Sequence, residues 1–310
     1  MDNNTQISNH YDDEIDLKEL FAVLWAGRIK ILAITTIFAV ASVIYALTLP
    51  NQYKATILLS PSQSTTSGIS GSLGQLGGLA SLAGVNIGGG ESNESQLAQE
   101  IMKSWGFVEG FIAENDLAIE VYAAEGWDRA SNKLQLDQDV YDTETNAWLV
   151  EDDFGQQGPP NSWELYQAFS ERIEVSEDKK SGLISVSIEY YSPQIAKQWL
   201  DLYISSINKH MQERQMIKVT SNIEFLEAQI EKTAITGMRE VFYTIIEEQI
   251  KSKMLAEASP NYAFEAVSPS MVPAEKSQPK RALICILGVL LGGMLSVLLV
   301  LVMHYARKSD

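Results

Sequence analysis

A chain of 310 residues with a formal net charge of −17 offers no basic footprint for nucleic acid, whose phosphates it repels. Its one cysteine, Cys285, excludes an intrachain disulfide. The mean hydropathy of −0.05 is that of a globular protein, but the average hides two apolar blocks near the ends, and these decide the class.

In chain order, Leu17, Leu20, Phe21, Leu24 and Trp25 recur at helical spacing and run into Ile29, which predicts an interfacial helix within a short tail, residues 1–30. Residues 31–49 follow without a charge; as a helix they extend ~28 Å, close to the hydrocarbon thickness of a bilayer, and form the first predicted span. A cleaved leader fits poorly, because Asp12, Asp13, Glu14, Asp16 and Glu19 precede the block where a leader carries basic residues. Residues 282–303 are likewise uncharged, extend ~33 Å and form the second span, leaving 304–310 as a tail.

The flanking charges barely distinguish the two sides, but a loop as long as 50–281 translocates regardless of charge. The expected topology is therefore two short tails inside and one large domain outside. That loop holds 18 basic and 33 acidic residues, and so carries 15 of the 17 net negative charges.

Within the loop, Tyr53 to Leu59 reads as a strand ended by Pro61. The Ser- and Gly-rich stretch 62–92 reads as a linker: its glycines are not followed by Gly-Lys-Ser/Thr, so no phosphate cradle can be assembled. Leu73, Leu76, Leu79 and Leu82, every third residue, suggest a short sticky helix inside it. A helix capped by Ser92 is expected to bury Leu97, Ile101, Trp105, Val108 and Ile112. The acidic segment 127–158 is expected to be short helix and loop, with another helix near Ser162 after Pro159 and Pro160. Ile173 to Ser176 and Leu183 to Tyr190 form a hairpin with a charged turn.

Ser192 then caps a helix with Pro193 at its first position, and no proline or glycine intervenes up to Ile235, implying ~60 Å of helix over about 193–235. Met216, Val219, Ile223, Leu226 and Ile230 follow three-four spacing, the seam of a coiled-coil-like contact with a return helix or a neighbouring subunit. After Thr236 and Gly237 a second helix runs from about Met238 to Ala258, and Tyr262 to Val267 is one more strand. The four strands should make one sheet close to the spans, with the long helix standing away from the membrane.

Candidate chemistry is sparse. His10, His210 and His304 lie too far apart in the layout to form a metal or triad cluster. Glu151, Asp152 and Asp153 read as a solvated acidic loop rather than an acid–base pair or cation site, and Glu247 with Glu248 as the wet face of a helix. No catalytic residue, metal or cofactor is expected. Pro269, Pro273 and Pro279 forbid helix in 269–281 and make a stiff strut reaching Lys280 and Arg281 at the membrane edge. In the second span Gly288, Gly292 and Ser296 fall every four residues, with Gly293 beside them, so another helix can approach closely.

Two stretches carry a resemblance. Asp13-Glu14-Ile15-Asp16-Leu17-Lys18-Glu19-Leu20-Phe21 leading to Leu24-Trp25, and Glu248-Gln249, Met254-Leu255-Ala256, Pro269, Pro273, Pro279-Lys280-Arg281-Ala282-Leu283-Ile284 with the glycine-bearing span, together resemble the Wzz family of polysaccharide co-polymerases, the chain-length determinants of lipopolysaccharide O antigen. The resemblance implies an α/β fold: a membrane-anchored periplasmic domain with a small mixed sheet near the membrane and a long protruding helix, flanked by two transmembrane helices. It also implies a bacterial inner-membrane protein with both termini cytoplasmic, a ring-like homo-oligomer, a Wzy-type O-antigen polymerase as partner, and contact with lipid-linked polysaccharide and inner-membrane lipid.

The expected function is non-enzymatic control of O-antigen modal length. Rival readings are an exopolysaccharide or capsule co-polymerase working with a separate kinase, a two-span extracytoplasmic sensor, and an extracytoplasmic hydrolase using Glu151 to Asp153.

Overall fold

The computed structural model describes residues 17–62, 90–151, 155 and 157–309. Leu73, Leu76, Leu79 and Leu82, with the rest of 63–89, lie outside the described residues, as do His10, Asp13 to Asp16, Asp152 and Asp153. The chain divides into two compact units, Met1–Leu49 with Gln278–Asp310, and Pro50–Ser277.

The first unit is helical. Helix α1 (Leu17–Ala26) passes into α2 (Arg28–Thr48) through Gly27, and helical hydrogen bonding continues across the junction: Gly27 N–H donates to Val23 O at 2.9 Å and Ile31 N–H to Gly27 O at 3.0 Å. The last helix of the chain, Arg281–Ser309 (α9 below), lies antiparallel to α2. Both α2 and α9 are long and apolar enough to cross a bilayer, and only 6% and 17% of their apolar windows are buried, far below what the core helix of a soluble protein shows. The apolar helices begin earlier than the uncharged blocks, taking in Arg28, Lys30 and Arg281 as first-turn residues.

The second unit is built on one four-stranded sheet of β1 (Tyr53–Pro61), β6 (Ile173–Asp178), β7 (Leu183–Tyr190) and β8 (Phe264–Ser268), in the order β6-β7-β1-β8. Every pairing is antiparallel, which corrects the mixed sheet expected. The β6–β7 hairpin fixes one pair, while β1, which opens the unit, and β8, which closes it, run in opposite senses. Ala55, Ile57 and Leu59 stand opposite Ile188, Val186 and Ile184, and all six are buried on one face, as period-two alternation requires.

Helix α7 (Pro193–Lys232) covers that face. Ala196, Trp199, Leu200, Tyr203, Ile207 and Met211 are buried in the same cluster as the strand residues, each large side chain contributing roughly 1.5–3 kcal/mol by removal from water. Ser192 caps α7, its Oγ accepting from Ile195 N–H at 3.5 Å, with Pro193 at the first helical position.

Around this core the chain adds α3 (Gly90–Lys103), α4 (Trp105–Glu114), α5 (Ala118–Tyr122) and α6 (Ser162–Ser170). The single helix expected from a Ser92 cap is α3 and α4. Helix α3 already begins at Gly90, and Ser104, at ψ 144°, breaks the backbone and re-phases the face. The core therefore receives Ala98, Met102, Val108, Phe111 and Ile112, while Leu97 and Trp105 are exposed. Asn161 caps α6 in a reciprocal box with Glu164, just after the two prolines.

The segment expected to be short helix and loop is instead two small hairpins, β2 (Ala124–Asp128) with β3 (Lys133–Leu136) and β4 (Tyr141–Asp142) with β5 (Ala147–Trp148). Their turns use one device, shared with the β6–β7 turn. Asp128 accepts from Ala130 N–H (3.0 Å) and Ser131 Oγ (2.6 Å), Asp142 from Glu144 N–H (2.8 Å) and Thr145 Oγ1 (2.6 Å), and Asp178 from Lys180 N–H (2.9 Å) and Ser181 Oγ (3.0 Å). Each turn closes on a residue of positive φ: Asn132 (54°), Asn146 (51°) and Gly182 (69°).

After Met211 helix α7 continues beside α8 (Thr236–Ala258) as a two-helix hairpin. The helix ends at Lys232, three residues before Ile235, because Thr233 and Ile235 take extended backbone.

Candidate functional site

Among the described residues no group of His, Cys, Asp or Glu could hold a metal ion. His210 sits against the Phe107 ring at 5.5 Å, His304 against Tyr305 at 5.7 Å, and Glu151 is bridged to Gln157. Glu247 and Glu248 both accept from Lys251, at 2.9 and 3.2 Å, and these bonds raise the Lys251 ammonium above its ordinary value. The candidate features are contact surfaces.

The first is the face between α2 and α9 (Arg281–Ser309). A Cβ added at Gly292 would lie 2.5 Å from Phe38 Cβ, one at Gly27 2.5 Å from Val300 Cγ1, and one at Gly288 would overlap the Ser42 side chain. Ser296 is fully buried, donating to Gly293 O at 2.7 Å with its Oγ 3.4 Å from Thr35 Oγ1. Gly288, Gly292 and Ser296 are thus brought together on the contact, as small residues allow in a helix pair. Gly293 is not: nothing lies within 4 Å of its Cβ position, because it is one residue out of the four-residue ridge.

The second surface is the α7–α8 hairpin. Val219 and Ile230 of the expected seam are buried and Met216, Ile223 and Leu226 half-buried on the side toward α8, where Ile246 is buried in return. The seam closes on the chain's own return helix. Elsewhere the hairpin keeps apolar residues in solvent: Ile217 is 72% exposed and Phe225 63% on α7, and Met238, Val241, Tyr243, Ile250 and Met254 are exposed on α8.

The third is the proline segment, whose residues 269–277 belong to the second unit and 278–281 to the first. Pro269 and Pro273 lie in a stretch without helix or strand, as their missing donors require. The stretch is tied down rather than free-standing: Ser270 Oγ bonds Asp201 of α7, while Ser277 N–H donates to Gln52 O at 2.8 Å and its Oγ bonds Glu189. Pro279 and Lys280 precede α9, and Arg281 is its first residue.

Sequence reasoning missed the residues that hold the returning chain to α7. Asn208 is 2% exposed, its Oδ1 accepting from the Ala263 and Phe264 N–H groups at 2.8 Å each and its Nδ2 donating to Phe264 O at 3.0 Å. Gln212, one turn on, donates to Ala256 O at 2.7 Å and Ser259 O at 3.2 Å at the end of α8. The signal was available: an asparagine inside the apolar stripe of Tyr203, Ile207 and Met211 needs buried partners. Arg172 stands over the Tyr190 and Tyr191 rings at 5.2 and 5.3 Å, and burial pushes the carboxyls of Glu94 and Glu120 above their ordinary value.

Residues 13–115, about a third of the chain, match the family described as chain length determinant protein, Wzz. That stretch of the chain is similar to the Wzz family. The matched region runs from the N-terminal segment through α1, α2 and β1 to the end of α4. Among solved structures, a full-length bacterial polysaccharide co-polymerase is similar at 13% identity and a TM-score of 0.40, over 95% of this chain and 99% of that one. A fragment of WzzB, a polysaccharide co-polymerase from Salmonella Typhimurium, is similar at 10% identity and a TM-score of 0.32, over 74% of this chain and 100% of that one. No curated protein matches.

Proposed function

We propose that this chain is a member of the Wzz family and a non-enzymatic regulator of polysaccharide chain length, setting the modal length of the O antigen made by a Wzy-type polymerase. The family match over residues 13–115 carries the reading. Anchored in the bacterial inner membrane by α2 and α9, with both termini cytoplasmic and Pro50–Ser277 periplasmic, the protein acts as a ring-like homo-oligomer. Two features support this: the two apolar helices of bilayer length, and the exposed apolar side chains Ile217, Phe225 and Met254 on the α7–α8 hairpin. Bond formation belongs to the polymerase; the chain supplies a scaffold beside it, in contact with lipid-linked polysaccharide.

The test is the size profile of surface polysaccharide from a strain lacking the gene. The expected result is loss of the modal band, with a broad or random ladder, restored by the wild-type gene. An unchanged ladder overturns the O-antigen reading, and a change confined to capsule or exopolysaccharide reassigns the chain to that branch of the family.

A further inference from the structure

The junction of α1 and α2 carries an open cleft that ends at Thr35, a residue of the α2–α9 contact. Its volume is about 290 Å³, and its walls are Leu24, Trp25, Ile31 and Leu32, with Phe21 at one end and Thr35 at the other. Arg28 is the one charged residue in the lining. Phe21 and Trp25 stack with centroids 6.3 Å apart, and the Arg28 guanidinium lies 4.9 Å from the Trp25 ring centre.

The cleft follows from the sequence. The apolar stripe of α1 continues in phase into α2 because the backbone stays helical through Gly27, so one groove crosses from the amphipathic segment into the apolar one. Both chemistries a phospholipid needs therefore meet at one place. Aliphatic walls continue toward the apolar helix, where an acyl chain removes surface from contact with water or mismatched lipid. Arg28, with Lys30 two residues on, sits at the level where a tryptophan marks the edge of the hydrocarbon. Among the described residues no carboxylate pairs with either cation. A planar guanidinium held over a ring keeps its N–H fork free for a phosphate.

We propose that this cleft binds one anionic phospholipid of the bilayer, an acyl chain lying between Trp25 and Ile31 and the phosphate on Arg28. The proposal rests on α2 spanning the membrane.

Trp25 is the sole tryptophan outside Pro50–Ser277, so acyl chains brominated for fluorescence quenching report on this cleft in the full-length protein. The protein is reconstituted into phosphatidylcholine vesicles holding a small fixed fraction of brominated phosphatidylglycerol, or the same fraction of brominated phosphatidylcholine. Quenching of Trp25 is expected to reflect roughly a fivefold local enrichment of the anionic lipid, the effect of about one basic side chain at the surface. Arg28→Gln should bring the two lipids level, Ile31→Phe should lower quenching by both as it fills the cleft, and Trp25→Phe should abolish the signal. Equal quenching by both lipids in the wild-type protein overturns the site and leaves the spanning reading intact. No quenching by either shows the junction outside the bilayer and removes both. Displacement by a long-chain isoprenyl phosphate, with none by added phosphatidylglycerol, overturns the phospholipid as occupant.

Discussion

The two halves of α7 are one unbroken helix with different surroundings. From Pro193 to Met211 the helix is a core element: Trp199, Leu200, Tyr203 and Ile207 are buried against the sheet, and Asn208 ties down the returning strand. From Gln212 to Lys232 only Val219 and Ile230 are buried, both on the side toward α8, and Ile217 and Phe225 face solvent. A helix has no means of changing its backbone to suit these environments, so the difference is written wholly in side chains. The first half holds the fold; the second presents a surface.

Substitutions can break or sharpen that contrast, beginning with the first half. Trp199→Ala opens a cavity between α7 and β7 and should cost about 3–5 kcal/mol, read as a lowered midpoint in denaturant unfolding of the solubilised protein. Asn208→Leu strands the N–H groups of Ala263 and Phe264 and the carbonyl of Phe264. It should cost about 2–3 kcal/mol and raise amide exchange first in β8. In the second half, Ile230→Val should cost only about 1 kcal/mol, with the loss confined to exchange protection in the α7–α8 hairpin.

Acid offers a smaller, local test. Hydrogen bonds from the Ser131 and Thr145 hydroxyls and from turn amides hold the Asp128 and Asp142 carboxyls below their ordinary range. Their contribution is fully present above the unfolded value, near 3.9, and is lost as pH falls through the lower folded value. Amide exchange at Ala130 and Glu144 should therefore stay protected at neutral pH and rise selectively in strong acid, while the buried α7 amides remain protected. Loosening of these turns on going from pH 5 to pH 8 would contradict the assignment. At the small end, Phe225→Ser should leave stability within about 0.5 kcal/mol while lowering the mass of the detergent-solubilised oligomer.

The same contrast separates what the sequence made legible from what it did not. Long periodic signals survived: the alternation in β7, and the cap and proline opening α7. Their information is repeated over many residues, so one exception does not spoil it. Short elements failed. Strands β4 and β5 have two residues each, too few for any alternation, and the helix expected from Ser92 lost its phase at one extended residue, Ser104. Even there a signal existed in the turns. Asp128-Arg129-Ala130-Ser131-Asn132 and Asp142-Thr143-Glu144-Thr145-Asn146 repeat the pattern of Asp178-Lys179-Lys180-Ser181-Gly182, where long flanking strands mark the hairpin. The tie of Ser270 to Asp201 had no comparable trace, because it joins residues far apart in sequence through side chains common on any surface.

The most direct test of the account is the polysaccharide size profile of a deletion strain complemented with the double substitution Ile217→Ser, Phe225→Ser, in which the core half of α7 is untouched. The account predicts a protein present in the membrane at wild-type level that no longer gives a modal band, its ladder matching that of the uncomplemented strain. A normal modal length from that variant would contradict the assignment of function to the exposed face of the hairpin.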